Sequence, residues 1–262
     1  MISSLRILVL GGLTSYRALF RWLNPWIAVP VLVFQPLFQV ILFVYVGRAA
    51  HVSNDTFFLI GNAILNAAIP CLFAMGQTIQ GERQQGTLPL LLASPSPRIP
   101  LFLGRALPAI ANGFVVTVVC FIFGALVLHV SFPASTWGPL ALAMAVCSFS
   151  CTGLGMLMAA IAMRVRSVAV LANVIFGLLM LLAGVNVPVA SLPHWARVIA
   201  QYIPLTHGIA AARELADGSR LGNLGSELGT ELAIGAVYTA LGVVILLWLE
   251  WESKRSATLE NR

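Results

Sequence analysis

Charged residues are scarce in this sequence. Only 9% of its 262 residues are charged, whereas 59% are hydrophobic, and the mean hydropathy is +0.93. A soluble globular domain carries about 25% charged residues, so this chain cannot build an ordinary water-facing surface. The same composition excludes a disordered chain and a coiled coil. Since each membrane-spanning helix needs ~20 predominantly apolar residues, we predict an all-α polytopic membrane protein with six transmembrane helices.

Patterns typical of catalysis and of metal binding are also missing. The sequence contains no phosphate-binding G-x-x-x-x-G-K-[ST] loop and no H-E-x-x-H motif, and its only aspartates are Asp55 and Asp217. A membrane enzyme acting on lipid phosphates would need carboxylates or a metal ion at the ends of its spans. Cys147 and Cys151 share a helix face but have no acidic residue or histidine near them in sequence. We therefore expect no catalytic residue and no metal site in this chain.

Six apolar runs form the framework of the prediction. They are preceded by residues 1–25, whose apolar residues recur at helical spacing, which predicts a cytoplasmic amphipathic helix in the membrane interface, with a soluble helix as the alternative. Glu231 and Glu250 are predicted to flank the last span, and the span interiors lack ionisable residues apart from Arg105 near a span start. The predicted spans are 26–46, 57–79, 101–130, 137–163, 168–187 and 232–251. They form a transmembrane domain covering 26–251, which is followed by a cytoplasmic tail at 252–262.

The distribution of basic residues predicts the orientation of the chain. With the N-terminus in the cytoplasm, eleven of the 15 arginines and lysines fall on the inner side, and the other four fall on the outer side. Cytoplasmic loops of membrane proteins carry an excess of such residues. We therefore predict that both termini are cytoplasmic. The outer four are Arg48, Arg197, Arg213 and Arg220.

Five neutral polar residues in the first, second and fifth predicted spans are singled out. Gln35 and Gln39 are four residues apart and so share a helix face, as do Asn62 and Asn66, while Asn173 is a single position in the fifth span. These side chains are candidates to line a translocation pathway. Hydrogen bonding between helices, at ~0.6–2 kcal/mol per contact, is the alternative. Since the span interiors lack a proton or sodium relay, we expect another subunit to supply the energy for uphill transport.

Two connections differ from ordinary loops. The predicted cytoplasmic segment 80–100 reads QGERQQGTLPLLLASPSPRIP, which is too polar at its start and too rich in proline to form a span. In the predicted outer segment 187–215, Pro188, Pro193 and Pro204 divide a half-apolar stretch into pieces too short to cross the membrane. Such pieces fit re-entrant helices that are buried against protein, with a surface helix as the alternative.

Both connections resemble parts of the permease subunits of ABC exporters of the second type, the group that includes drug, polyketide, polysaccharide and nodulation-factor exporters. GERQQGTLPLLLASP, residues 81–95, is similar to the family's E-x(3)-G-T-x(2)-x-L-L-x-S-P segment between the second and third spans. The P-x(3)-L-P-x-W pattern that begins at Pro188, followed by Pro204-Leu205-Thr206, is similar to the family's outer re-entrant helices. Pro89 departs from the family pattern, in which an acidic residue often follows G-T-L.

The resemblance implies partners and site residues. Two permeases, identical or homologous, would pair in the lipid bilayer of the bacterial plasma (inner) membrane, above two copies of an ABC ATPase that bind ATP and Mg. The chain itself would hold no cofactor and bind no nucleic acid, and its first, second and fifth spans would line the pathway. The segment 80–100 would form a coupling helix, with an ordinary loop as the alternative. Residues implied in coupling to the ATPase are Glu82, Arg83, Gly86, Thr87 and Leu88, and those implied in an outer gate are Pro188, Leu192, Pro193, Trp195, Pro204 and Arg213.

The expected function is therefore that of a permease for an amphipathic drug or natural product, powered by a separate ATPase. A lipid-linked glycan or oligosaccharide is the alternative cargo. A membrane scaffold without cargo and a membrane enzyme are the alternatives from other classes. Arg197 and Arg213 are expected toward the outer interface, because a cation at the bilayer centre costs at least ~2.5 kcal/mol.

Overall fold

The structure is a computed structural model that describes most of the transmembrane part of the chain. The predicted interfacial helix, the first part of the first span, Gly86, Thr87, Leu88 and the end of the tail lie outside the described residues. The described ranges are 34–51, 54–84, 98–165, 167–218 and 224–256. Within these ranges the chain is helical and contains no strand, which confirms the all-α prediction.

Nine α-helices follow one another in the described ranges, and a short 3-10 turn at Val189–Ser191 lies between the sixth and the seventh. Their bounds are α1 Gln35–Ala50, α2 Asp55–Leu65, α3 Ala68–Gln84, α4 Arg98–Leu128, α5 Ala134–Ala162, α6 Val168–Leu182, α7 His194–Ala200, α8 Thr206–Ala216 and α9 Leu224–Ser256. Four stretches are long and apolar enough to cross a membrane, namely 55–77, 103–128, 134–162 and 224–249, and the shorter apolar α6 accompanies them. The chain is therefore a multi-pass membrane protein.

The second predicted span is interrupted in the structure. Asn66 and Ala67 separate α2 from α3, and the Asn66 amide donates to the carbonyl of Asn62 over 2.8 Å. Beyond this break, α3 continues to Gln84, past the predicted end of the span at residue 79. The first residues of the predicted coupling segment, 80–84, are thus a helical extension of the second span.

Close packing places α5 at the centre of the bundle, against α3, α4, α8 and α9. A methyl group added at Gly155 would lie 2.5 Å from the carbonyl oxygen of Cys71, and one added at Gly242 would lie 2.7 Å from the amide nitrogen of Leu157. Membrane helices approach this closely only where small residues line the contact. The small residues between Ser148 and Gly155 therefore bring α3 and α9 directly against α5.

The connection between α6 and α9 contains helices too short to span a bilayer. α7 has 7 residues and α8 has 11. At ~1.5 Å per residue, even α8 covers only about 16 Å of a ~30 Å hydrocarbon core. The end of the bundle that carries α7 and α8 is called the α8 end below, and the opposite end, where α3 meets the start of α6, is called the Gln80 end.

Candidate functional site

A carboxylate from the last helix caps the start of α8. Glu231, on α9, is fully buried, and its Oε1 accepts the N–H of Leu205 over 2.7 Å while its Oε2 accepts the N–H of Gly208 over 3.2 Å. The first N–H groups of a helix lack partners within the helix, and a negative charge there is stabilised by the helix dipole. Leu205, at the N-cap position, has no side-chain acceptor. Glu231 therefore supplies from another helix the cap that α8 lacks.

The backbone at this cap is strained. Leu205 has a φ of +79°, in the left-handed region that residues with a side chain rarely occupy. Such a conformation costs about 1–3 kcal/mol and persists only where the surroundings determine it. Here the Leu205 side chain is fully buried and its N–H is aimed at Glu231. At Gly208, an added methyl group would collide with the Cys147 sulfur on α5, so the absence of a side chain lets α8 approach.

A second polar pair lies beside this cap, closer to solvent. Nδ1 of His207 is 2.7 Å from Oε2 of Glu227, and Nε2 of His207 is 3.0 Å from the carbonyl oxygen of Gln201. Glu227 precedes Glu231 by one helical turn, so the two carboxylates face α8 from the same side of α9. The side chain of Glu227 is 31% exposed. Glu231 and Glu227 thus lie on the same face of α9 and differ in that Glu231 is buried and Glu227 is partly exposed.

An arginine holds the other end of α8. Nη1 of Arg213 donates to the carbonyl of Gly184 over 2.7 Å, and its Nη2 donates to the carbonyls of Val185 over 2.8 Å and Phe57 over 3.0 Å. The guanidinium also lies 3.4 Å from the centre of the Phe57 ring. Burial lowers the pKa of Arg213 to about 9, and the carboxylate of Asp217 acts in the opposite direction. Arg213 therefore remains a cation at neutral pH and fastens α8 to the end of α6 and the start of α2.

The guanidinium of Arg213 is directed into the protein, onto backbone carbonyls. Its expected position toward the outer interface stays a prediction. Gly184 has a φ of +77°, which turns the chain after α6 and presents two successive carbonyls to the arginine. A cavity of about 280 Å³ opens beside it. Its lining consists of Asn54, Thr56, Phe57, Ile60, Arg213 and Asp217.

Two of the five predicted pathway residues meet in a polar network. Asn62 is fully buried on α2 and donates through Nδ2 to the carbonyl of Phe58 over 3.0 Å and to Oδ1 of Asn186 over 2.8 Å. Nε2 of Gln39 on α1 lies 3.5 Å from Oδ1 of Asn62. The network therefore connects α1, α2 and the turn after α6.

Of the other three pathway candidates, Asn66 contacts the main chain of Asn62, whereas Gln35 and Asn173 lie apart from the network. Gln35 is exposed one turn away from Gln39 on α1. Asn66 is buried at the break between α2 and α3. Asn173 is exposed on α6 and donates to the carbonyl of Ala169 on its own helix, over 2.9 Å. In the single chain, the five residues do not form one continuous surface.

The predicted gate residues lie along the connection that carries α7 and α8. Pro188 precedes the 3-10 turn, Pro193 precedes α7, and the buried Pro204 precedes Leu205. Leu192 is half-buried, whereas Trp195 on α7 is 65% exposed. The prolines thus mark the starts of short elements, and Trp195 presents its ring to the surroundings.

Comparison with known proteins identifies the family. The sequence profile described as "ABC-2 type transporter" matches residues 12–216. The chain belongs to the ABC-2 type transporter family. It is the membrane-embedded permease subunit of an ABC transporter, a multi-pass transport subunit, and membership implies an ATPase partner. No curated protein gives a significant match to the chain.

At the Gln80 end of this ABC-2 permease, polar contacts join α3 to α6 and α5 to α9. Oε1 of Gln80 on α3 accepts the N–H of Val168, the first residue of α6, over 3.2 Å. Arg164, just after α5, forms an ion pair with Glu252 on α9, and its guanidinium lies 6.0 Å from the Trp248 ring. The two charged side chains are 59% and 37% exposed. Glu82 and Arg83, predicted to couple the permease to its ATPase, lie one turn or less beyond Gln80 on α3.

The sequence analysis missed three residues of this ABC-2 permease that join separate elements through hydrogen bonds in the structure. Glu231 was expected beside the last span, but α9 begins at Leu224, so Glu231 lies inside the helix and is buried. Asn186 lies near the end of the predicted fifth span and Gln80 begins the predicted segment 80–100, and neither was singled out, because a single polar residue at such a boundary has no periodicity. A signal for Glu231 did exist: it follows Glu227 by four residues, which places both carboxylates on one helix face.

Proposed function

We propose that the chain is the permease of an ATP-driven exporter, in which two permease copies, identical or homologous, pair above two ABC ATPase subunits that bind ATP and Mg. The contact between Gln80 and Val168 carries the proposal. It joins the segment that resembles the ATPase-docking part of the family to the first residue of α6. A displacement of residues 80–84 would therefore move the start of α6, whose far end is held by Arg213.

The proposed orientation places the Gln80 end and both chain termini in the cytoplasm and the α8 end outside, in a bacterial inner membrane. The excess of basic residues in the segments assigned to the inner side supports it. With this orientation, residues 80–100 face the ATPase, and the connection from Pro188 to Arg213 covers the exit of the pathway.

The exposed side chains of α1 support the proposal that the cargo is amphipathic. Gln35 and the partly buried Gln39 share one helix face, while Phe38 is 67% exposed and Leu42 is 59% exposed on the same helix. A pathway built on such a helix offers both hydrogen-bonding groups and apolar area. The second candidate cargo is a lipid-linked glycan. The observation in its favour is that Trp195 and Tyr202 are 65% and 66% exposed, because the face of an exposed aromatic ring can pack against a sugar ring.

Cargo-stimulated ATP hydrolysis tests the proposal. The chain is to be purified with the ATPase encoded by the neighbouring reading frame and reconstituted in nanodiscs. Hydrolysis is then measured with amphipathic amine drugs and, separately, with a lipid-linked oligosaccharide. Stimulation by either class supports the exporter and selects its cargo. An ATPase that binds the chain but responds to neither class indicates a scaffold, and substrate turnover by the chain without ATP indicates an enzyme.

Variants of the coupling segment provide the sharper prediction. Glu82→Ala removes the acidic residue of the family-like motif, and Gly86→Pro removes a backbone donor and restricts the preceding residue. Both variants should insert and assemble with the ATPase yet lose most of the cargo-stimulated hydrolysis. Gly81→Ala is the matched control, because nothing lies within 4 Å of a methyl group added there. If Glu82→Ala and Gly86→Pro behave like Gly81→Ala, the coupling assignment is wrong.

A further inference from the structure

α8 is held at both ends by buried ionic side chains, and the two ends contact different spans. At its start, Glu231 of α9 accepts the N–H groups of Leu205 and Gly208. At its end, Arg213 donates to carbonyls that follow α6 and that belong to the first turn of α2. The Glu231 contacts hold backbone groups at the start of α8 itself. The Arg213 contacts hold a side chain of α8 on backbone carbonyls after α6 and in α2.

We infer that α8 is a strut between the last span and the second and fifth spans, and that Glu231 is the residue that positions it during transport. The inference rests on the proposed function, because it concerns how the helices move during ATP-driven export. Glu231 would transmit a displacement of α9 to α8, and Arg213 would pass it to the ends of α6 and α2. The network of Asn62, Asn186 and Gln39 lies at that same place.

The chemistry of the Glu231 contact suits a discrete attachment. A buried carboxylate is stable only when its oxygens are hydrogen-bonded, and two amide N–H groups at a helix start supply the donors. If α8 moved away from α9, both the carboxylate and the left-handed backbone at Leu205 would lose the partners that hold them. The two elements are therefore expected to move together, since separation exposes an unpaired charge to an apolar interior.

A cysteine at position 206 can report on this attachment. Thr206, the first residue of α8, is 8% exposed, and its hydroxyl makes no hydrogen bond within the described residues. Thr206→Cys therefore removes no polar contact. The four native cysteines are buried and are kept, and the parent chain without Thr206→Cys gives their background. The probe is a membrane-impermeant maleimide, applied to the full permease with its ATPase in nanodiscs, with and without ATP, Mg and vanadate.

Glu231→Gln is compared with the matched control Glu227→Gln, which removes the other carboxylate that faces α8. Without nucleotide, Glu231→Gln should accelerate labelling of the 206 cysteine roughly tenfold, because local opening rises as the charged hydrogen bonds are lost. Glu227→Gln should match the parent. Addition of nucleotide should change labelling in the parent and in Glu227→Gln but not in Glu231→Gln. A cysteine at the exposed Ser191 should label equally in all of them.

Other labelling results would contradict the inference. Equal labelling of Glu231→Gln and Glu227→Gln overturns the strut. Faster labelling with an intact nucleotide response makes Glu231 a stabilising residue only, and also overturns its positioning role. If Glu231→Gln does not insert, Glu231→Asp carries the same comparison, since it keeps the charge but is one methylene too short to reach both amides. A parent without nucleotide response contradicts the proposed exporter, while the nucleotide-free comparison still tests the attachment of α8 to Glu231.

Discussion

The charged side chains that join helices at the two ends of the bundle differ in burial and in their partners. At the α8 end, Glu231 and Arg213 bind backbone amides and carbonyls from within the protein. At the Gln80 end, Arg164 and Glu252 pair as side chains that remain 59% and 37% exposed. Contacts of a buried charge to the backbone fix the geometry of a helix end, whereas exposed ion pairs contribute about 0–1 kcal/mol and can re-form in other geometries.

This difference fits the proposed exporter, in which the ATPase acts at the Gln80 end and the exit of the pathway lies at the α8 end. The Gln80 end, proposed to face the ATPase, can adapt to its movements because its polar contacts are partly solvated. According to the inference above, the α8 end holds one arrangement until Glu231 and Arg213 shift together. Substitutions at the two ends should therefore have unequal effects, and the three predictions below run from the largest effect to the smallest.

Loss of Arg213 is expected to have the largest effect. Arg213→Gln leaves the carbonyls of Gly184 and Val185 without their donor inside the protein, and should lower stability by about 3 kcal/mol, since hydrogen bonds to charged groups contribute ~1.5–3 kcal/mol each and their losses overlap. The measurement is thermal unfolding of the purified permease in detergent, followed by tryptophan fluorescence.

The control for this prediction is Arg197→Gln on α7. Arg197 also donates to backbone carbonyls, those of Ala190 and Leu192, but these contacts are exposed. Its removal should change the unfolding temperature little. Equal shifts for the two arginine variants would contradict the view that burial distinguishes the α8 end.

Composition predicted the all-α membrane class correctly, for a physical reason. A span must be apolar over ~20 residues, so its existence is written in the local sequence. The start of α9 was misplaced because residues 224–231, LGSELGTE, are too polar for a span. They are helical because they pack on α8 and supply its cap. The local sequence of residues 224–231 could not reveal this contact with α8. The break at Asn66 was likewise hidden inside a continuous apolar run.

The candidate site was predictable only in part. The four-residue spacing of Asn62 and Asn66 placed both on one face of the second span, and the structure buries both. The partner of Asn62 in the turn after α6, Asn186, lies 124 residues away in sequence, so only the fold brings it near. Gln35 and Asn173 remain exposed in the single chain, and whether they line a pathway between two copies stays a prediction.

The close approach of α8 to α5 gives a second prediction, of intermediate size. Gly208→Ala places a methyl group against the sulfur of Cys147 and should lower stability by about 1–3 kcal/mol through overpacking. Cys147→Ala removes that sulfur. The double variant should therefore be more stable than the sum of the two single effects predicts, and a double-mutant cycle on unfolding temperatures measures this coupling. Additive effects would show that α8 and α5 do not meet at this point.

The ion pair at the Gln80 end should show the smallest effect. Arg164 and Glu252 join the end of α5 to α9, with Trp248 beside the guanidinium, but both charged groups contact solvent. A double-mutant cycle of Arg164→Ala and Glu252→Ala should give a coupling of about 0.2–1 kcal/mol. Since the Debye length falls to ~3 Å in 1 M salt, this coupling should largely disappear there, whereas the effect of Arg213→Gln should persist. A coupling above this range that survives 1 M salt would mean that the Gln80 end is held as firmly as the α8 end. In that case the Gln80 end could not adapt to movements of the ATPase as proposed. The distinction between a firmly held α8 end and an adaptable Gln80 end would then be wrong.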